Sequence, residues 1–370
     1  MSVRPRVALV FGGDSSEHSV SCLTAASVMA AIDHSRFEVV GIGITPTGRW
    51  TQLTPDDVRD LTIVANVLPQ VSEDAPDAVV MRSASGCQVA TRHGDHLTDI
   101  HDLDVAFALL HGPFGEDGTV QGLFEMLGLR YVGSGVAASA VGMDKHVMKM
   151  VLAAHDVPMG PYTVIEPHIW ATDPDAALAE ARTLEFPVYV KPARGGSSMG
   201  ISRVADPAGL VDAIEEARRF DPKVIIEQGF TDIREIECAV LGSSGDAEPR
   251  TSKLGEIRMH TADAFYDFDA KYLPEEQVSL DVPANVDDAL EARVQKIAAL
   301  TFRAVGCEGL ARVDTFVTRD GEVFVNEINT MPGFTKFSMF PMLWQASGLE
   351  YPELIAELIR LATERPLGLR

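Results

Sequence analysis

The stretch PVYVKPARGGSSMGISRV, residues 187–204, reads as strand, glycine-serine loop, strand, with Lys191 and Arg194 just ahead of the glycines. Loops of this composition hold phosphates. Gly195 and Gly196 let the backbone come close, and its N–H groups can fold over phosphate oxygens together with the Ser197 and Ser198 hydroxyls. Lys191, at the strand end, projects toward the same place. The loop runs into a second strand, however, and not into the helix that phosphate loops usually open. The chain contains no Gly-Lys pair, which excludes a Walker A loop. Taken alone, the stretch could equally be an ordinary glycine hairpin. A second glycine motif, Gly133-Ser-Gly135-Val-Ala-Ala138, matches G-x-G-x-x-A but follows a strand of only two residues. It reads as a domain junction packed through small residues.

The carboxylates downstream decide between these readings. Asp314 lies in RVDTF, and Glu327 and Asn329 lie in NEIN, on two strands joined by Thr-Arg-Asp-Gly, a strong hairpin signal. Glu327 and Asn329 are two residues apart and share one strand face, as do Arg312 and Asp314. If the hairpin pairs Asp314 nearby, three oxygen ligands converge, a hard site suited to Mg²⁺ bridging phosphate oxygens. A solvated acidic edge would not favour the Asn-Thr-Met-Pro-Gly bend that follows at 329–333.

The whole chain agrees with a soluble nucleotide enzyme. At 370 residues and 46% hydrophobic content it is long enough for two or three domains of ordinary globular composition. A formal charge of -23 disfavours nucleic acid and anionic membranes, while a polyanion could still bind where positive charge is concentrated in a pocket. Cys22, Cys87, Cys238 and Cys307 show no metal or redox spacing and read as reduced thiols. No signal segment or ~18-residue apolar span is present, so a cytoplasmic protein is expected. RVALVFGG (6–13), a helix over 19–32 and EVVGIGI (38–44) open the chain as a βαβ unit. Residues 46–100 read as a loop-rich elaboration. The expected fold class is α/β, partly α+β, in three domains: an open α/β unit over 1–133, a central unit over 134–226 with the phosphate loop, and an antiparallel unit over 227–370.

KPARGGSSMG, IIEQGF, ARVDTF and NEINTMPGFT together resemble the ATP-grasp enzymes. VFGGDSSEHSVS, LHGPFGEDG, GSGVAASAVGMDK and YDFDAKY narrow the resemblance to the D-alanine–D-alanine ligases over nearly the whole chain. The resemblance implies an ATP-grasp fold with ATP between the central and C-terminal units. It also implies a reaction in which ATP phosphorylates one D-alanine and the amine of a second attacks the acyl phosphate. ATP as co-substrate, two Mg²⁺ ions replaceable by Mn²⁺, K⁺ as a candidate monovalent ion and a homodimer come with it. A D-alanine–D-lactate ligase, or a nucleotide-binding regulator without turnover, are the alternatives.

By the same resemblance Lys145, Lys191, Ser197 and Ser198 contact phosphates. Glu227, Gln228 and Phe230 flank adenine, Glu235 accepts from ribose, and Asn326 completes the ATP set. Many relatives carry lysine in place of Gln228. Asp314, Glu327 and Asn329 hold the metal, while Arg312 and the Gly333 N–H stabilise the oxyanion. Glu17 holds the first ammonium, in a hydrogen-bonded trio with Ser197 and Tyr272. His111 and Lys271 stand on the substrate side, and Ser338 with the Met339 N–H clamps the second carboxylate. Glu237 is expected to be a structural or solvated acid. The segment 260–276, with Lys271 and Tyr272, is expected to act as a lid.

Overall fold

The computed structural model describes residues 4–196, 199–243, 245–259 and 278–368, and their strands assemble into three sheets. β1 (Arg6–Gly12), β2 (Glu38–Ile44), β3 (Trp50–Leu53), β4 (Asp77–Ser83), β5 (Gly86–His93), β6 (His96–Leu103), β7 (Val105–Ala108) and β8 (Arg130–Tyr131) form the first, ordered β6-β5-β4-β3-β2-β1-β7-β8. β2, β1, β7 and β8 run parallel. β1 is buried from Val7 onward, the mark of a parallel strand covered on both faces. Gly12 ends it with a positive φ of 88°, and a Cβ there would stand 2.2 Å from the Ile44 carbonyl oxygen, so only glycine allows the turn that follows.

Residues 46–100 are not a loop-rich elaboration. They supply β3, β4, β5 and most of β6, which extend the parallel strands as an antiparallel meander. The misreading has a physical source. These strands are short, β6 is polar and exposed along most of its length, and their tight turns concentrate Ser, Gly, Asp and His.

β9 (Tyr162–Ile165), β10 (Val188–Pro192), β11 (Ser202–Val204) and β12 (Val224–Gln228) form the middle sheet, ordered β11-β10-β12-β9 and antiparallel throughout. Its core is its own: Ile165, Trp170, Val190, Ile214 and Ile226 pack among themselves and their neighbours. The glycine-serine loop joins β10 to β11, so it does lie between two strands.

β13 (Arg234–Gly242), β14 (Arg250–Met259), β15 (Val278–Asp281), β16 (Gly309–Val317) and β17 (Val323–Asn329) form the third sheet, ordered β15-β14-β13-β16-β17. The helix Asp288–Val305 covers one face, where Val294, Ala298 and Phe302 meet Val313, Val325 and Ile328. That helix starts on Asp287, whose carboxylate accepts from Leu290 N at 2.8 Å, and stops at Gly306 in the left-handed region.

The first and third sheets share one core. Val7 and Phe107 belong to the same cluster as Leu241 and Leu310, sealed by Leu354 and Leu358 of the helix Tyr351–Glu364. Gly309 is the closest crossing: its φ is 72°, and a Cβ would stand 2.8 Å from Gly133 N. Arg365, just past the last helix, locks this junction. Its guanidinium donates to the Gly133 carbonyl (2.9 Å) and to Glu308 Oε2 (3.2 Å), and it stacks 4.2 Å from the Tyr131 ring centroid. Both partners of the ion pair are almost wholly buried. Arg365→Ala removes a buried counter-ion of Glu308 and should lower stability by about 3–5 kcal/mol. Arg36→Ala breaks a half-exposed pair with Glu353 and should change it by roughly 1 kcal/mol or less. Denaturant unfolding of both variants is the check, and equal effects would reduce the clasp to a surface pair.

Candidate functional site

The hairpin β16–β17 brings four polar side chains onto one face. Its register sets Arg312 opposite Asn329 and Asp314 opposite Glu327, and then slips between Asp314 and Thr315. The slip leaves Asn326 as an extra residue in β17. Val323, Val325 and Ile328 face the core at spacings of two and then three, so Asn326 and Glu327, though adjacent, both line the cleft on the other side. Arg312 binds Asp314 through two bonds of 2.7 Å, from Nε to Oδ1 and from Nη2 to Oδ2. Glu237, opposite Asp314 on β13, stands 3.0 Å from Arg312 Nε. It is buried, so of the two expectations for it the solvated one fails. Burial works against the Arg312 charge, but Asp314 and Glu237 outweigh it and hold the guanidinium well above its ordinary range.

The opposing cations come from the end of β10, which carries Lys191, and from the start of the helix Lys145–Ala153. Asp144 caps the helix Lys145–Ala153, accepting from His146 N and Val147 N, and Lys145 N donates to the Ala193 carbonyl at 2.9 Å. The cap therefore fixes Lys145 against the start of the loop. Its Nζ donates to the Gly195 carbonyl at 3.1 Å and stands 3.3 Å from Glu327 Oε2, across the cleft. Burial raises the Glu327 carboxyl, but Lys145, Lys191 and Arg312 together bring it down to about 2. Arg194 turns away from the loop and grips Asp221 through Nε and Nη2, anchoring the loop base.

A buried ion cluster lies deeper. Glu227 receives Lys191 on Oε2 and Lys149 Nζ on Oε1 at 2.8 Å. Burial alone would raise this carboxyl, yet the two lysines win and hold it far below the usual carboxylate range. Gln228 points its amide at Glu185, accepting from Glu185 N at 3.2 Å and donating to its carboxylate at 3.3 Å. Phe230 stacks on Phe324 with centroids 4.9 Å apart. Burial and the nearby charge of Asp314 raise the Glu235 carboxyl. These groups line a cleft of about 240 Å³ between the middle and third sheets, with Lys145, Lys191, Gly195, Gly196, Arg312 and Asp314 among its walls.

A second neighbourhood adjoins it. A Cβ on Gly112 would stand 3.2 Å from Glu17 Oε2, and one on Gly196 would stand 3.3 Å from it, so Glu17 reaches the phosphate loop from the first sheet. His111 is buried and donates from Nδ1 to the Met331 carbonyl at 3.2 Å. Ser338 Oγ accepts from Thr335 N at 3.1 Å and lies 3.2 Å from where a Gly333 Cβ would be, so Gly333 and Ser338 face each other. Met339 packs into the shared core, which leaves its backbone for any contact with a ligand. Ser197, Ser198, Lys271, Tyr272 and the lid segment 260–276 lie outside the described residues.

Asp314, Glu327 and Asn329 fit a hard divalent cation by their chemistry: two carboxylates and an amide on one face. Asn329 Nδ2 donates to Asp314 Oδ2 at 2.9 Å, and a half-turn of the amide would present its oxygen instead. Among the described residues no three His, Cys, Asp or Glu side chains cluster as a metal site. Two residues at or beside the cleft escaped the sequence reading: Glu116 lines it, and Lys149 lies behind Glu227. Lys149 was signalled only by its place one helical turn after Lys145. Glu116, a cleft residue whose Oε2 accepts from Gly112 N at 2.5 Å, was signalled only by the LHGPFGEDG stretch.

Residues 6–134 match a family model described as the D-ala D-ala ligase N-terminus, and residues 151–360 match one described as the D-ala D-ala ligase C-terminus. A D-alanine–D-alanine ligase of Arthrobacter sp. (strain FB24) is 51% identical over 369 residues, covering 99% of this chain and 96% of that relative. The solved D-alanine-D-alanine ligase of Coxiella burnetii superposes with a TM-score of 0.81 at 30% identity, covering 98% of this chain and 94% of that one. The VanG D-Ala:D-Ser ligase of Enterococcus faecalis also gives 0.81, at 32% identity over 97% of this chain and 100% of its own.

The Glu227 cluster has a measurable pH signature. Glu227→Gln leaves two buried lysines without their counter-ion and should lower stability by about 3–5 kcal/mol at neutral pH. A carboxyl depressed in the folded state stabilises it fully above the unfolded value of 4.5, and that contribution is lost as pH falls toward the folded value. The gap in thermal midpoint between wild type and variant should hold steady down to pH ~5 and close below ~4.5. A gap independent of pH down to ~3 would show that Glu227 is not the depressed group.

Proposed function

We propose that this chain, which belongs to the D-alanine–D-alanine ligase family, joins two D-alanine molecules into D-alanyl-D-alanine with one ATP, supplying cell-wall precursor synthesis. The observation that carries the reading is the facing of two sets across one cleft. Arg312, Asp314, Glu327 and Asn329 look out from the third sheet toward Lys191 at the end of β10 and Lys145 at the start of the helix Lys145–Ala153.

ATP enters with its base beside Glu227, Gln228 and Phe230, its ribose at Glu235 and its phosphates at Lys145, Lys191 and the loop. Asp314, Glu327 and Asn329 would hold Mg²⁺ or Mn²⁺, which when bound neutralises the phosphate oxygens. Glu17 takes the ammonium of the first D-alanine and aims its carboxylate at the γ-phosphorus. A carboxylate oxygen bonds to that phosphorus as the bond to ADP breaks, giving an acyl phosphate. Ser338 and the Met339 N–H hold the carboxylate of the second D-alanine, so that its amine, once deprotonated, bonds to the acyl carbon. Arg312 and the Gly333 N–H carry the charge that builds on the acyl oxygen, and phosphate leaves with its C–O electron pair as the amide forms. No helix among the described residues is long and apolar enough to cross a membrane, and we place the reaction in the cytoplasm, where ATP is available. A homodimer is the assembly expected of the family.

The deciding assay supplies ATP, Mg²⁺ and D-alanine and follows phosphate release and product mass, with D-serine and D-lactate competing as acceptors. One phosphate for each D-alanyl-D-alanine is expected. D-alanine-independent phosphate release, or a product dominated by D-serine or D-lactate, would overturn the reaction or the acceptor respectively. Ser338→Ala should raise KM for the second D-alanine roughly 10- to 100-fold, the loss of one charge-assisted hydrogen bond, with KM for ATP unchanged. Parallel weakening of both substrates would make Ser338 a support of the Gly333 loop.

A further inference from the structure

Lys149 has no part in the reaction as written, yet it is buried at 2% exposure behind Glu227, a residue that lines the cleft. Its Nζ forms an ion pair with Glu227 Oε1 at 2.8 Å and lies 5.3 Å from the centroid of the Tyr162 ring. Lys191 holds the other oxygen of the same carboxylate. One lysine would neutralise Glu227, and burying a second is costly unless it does something the first cannot. The two differ in where they stand. Lys149 sits mid-helix on Lys145–Ala153 between the core residues Met148 and Leu152, whereas Lys191 stands at the end of β10, where the phosphate loop begins. Lys191 is therefore the lysine that can exchange partners.

We propose that Lys149 is a positioning residue for phosphate binding: it keeps Glu227 ionised and in place while Lys191 turns from that carboxylate to the phosphates of ATP. Without Lys149, the departure of Lys191 would leave a buried carboxylate with no lysine beside it, and Lys191 would stay where it is. With Lys149 the move replaces one anionic partner of Lys191 by another, and Glu227 keeps a counter-ion throughout. The depressed Glu227 carboxyl agrees, since both lysines contribute to it against burial. The inference rests on the assignment of Lys191 to the phosphates.

The test measures adenosine, ADP and ATP binding by calorimetry for wild type, Lys149→Met, Lys149→Gln, Lys149→Arg and Lys191→Met. Both neutral Lys149 variants should weaken ADP and ATP by about tenfold or more while adenosine stays within about twofold, and Lys149→Arg should keep the wild-type ratio. Adenosine and ATP weakening together would make Lys149 a support of the base side and overturn the proposal. If Lys191→Met loses the phosphate-dependent affinity while the folded Lys149 variants keep it, the inference falls and the assignment of Lys191 stands. If Lys191→Met keeps it, the assignment itself falls. Lys149→Gln retains a hydrogen-bond donor to Glu227, so it decides the matter if Lys149→Met does not fold.

Discussion

One extra residue in β17 sets the chemistry of the cleft. Without the slip at Asn326, strict alternation would put Asn326 and Glu327 on opposite faces, and one of them would point into the helix Asp288–Val305. With it, Val325 and Ile328 both reach the core, and Arg312, Asp314, Asn326, Glu327 and Asn329 all look outward. On that face Glu327 meets Lys145, while Arg312 meets Glu237 across the unbroken register of β13 and β16. The charges of the third sheet are laid out by a backbone irregularity and only then tuned by their neighbours.

An acidic chain with a formal charge of -23 can hold a polyanion because its cations are local and already paired. Lys145, Lys149, Lys191 and Arg312 each lie beside a carboxylate, so each of these four cations is compensated before a ligand arrives. An incoming triphosphate then competes for cations that are preoriented, and much of the ordering of their side chains has been done in advance.

Much of this was legible in the sequence because the informative signals are local. A glycine-serine loop between strands, a carboxylate and an amide two residues apart and an Asp-Gly turn depend on near neighbours, and the structure places each as read. What escaped reading depends on distant pairing. Glu237 is buried because β13 sets it against Asp314, and Lys149 matters because Glu227, far along the chain, ends beside it. β3 to β6 were missed for a different reason: half-exposed strands with tight turns share their composition with loops, and only pairing to β2 reveals them. Arg194 was visible beside the glycines, but nothing nearby says that Asp221 claims it.

The division of hydrophobic cores decides what can melt alone. The first and third sheets each have a core of their own but are joined through one large shared cluster, so order lost in one removes support from the other. The middle sheet keeps its own interior and can come apart while the rest stands, forming a separate cooperative unit. A ligand in the cleft touches both units and adds its binding free energy to each, which couples them. The empty protein then has two melting steps available to it, and saturation with nucleotide draws them together, so that calorimetric cooperativity itself becomes a measure of occupancy.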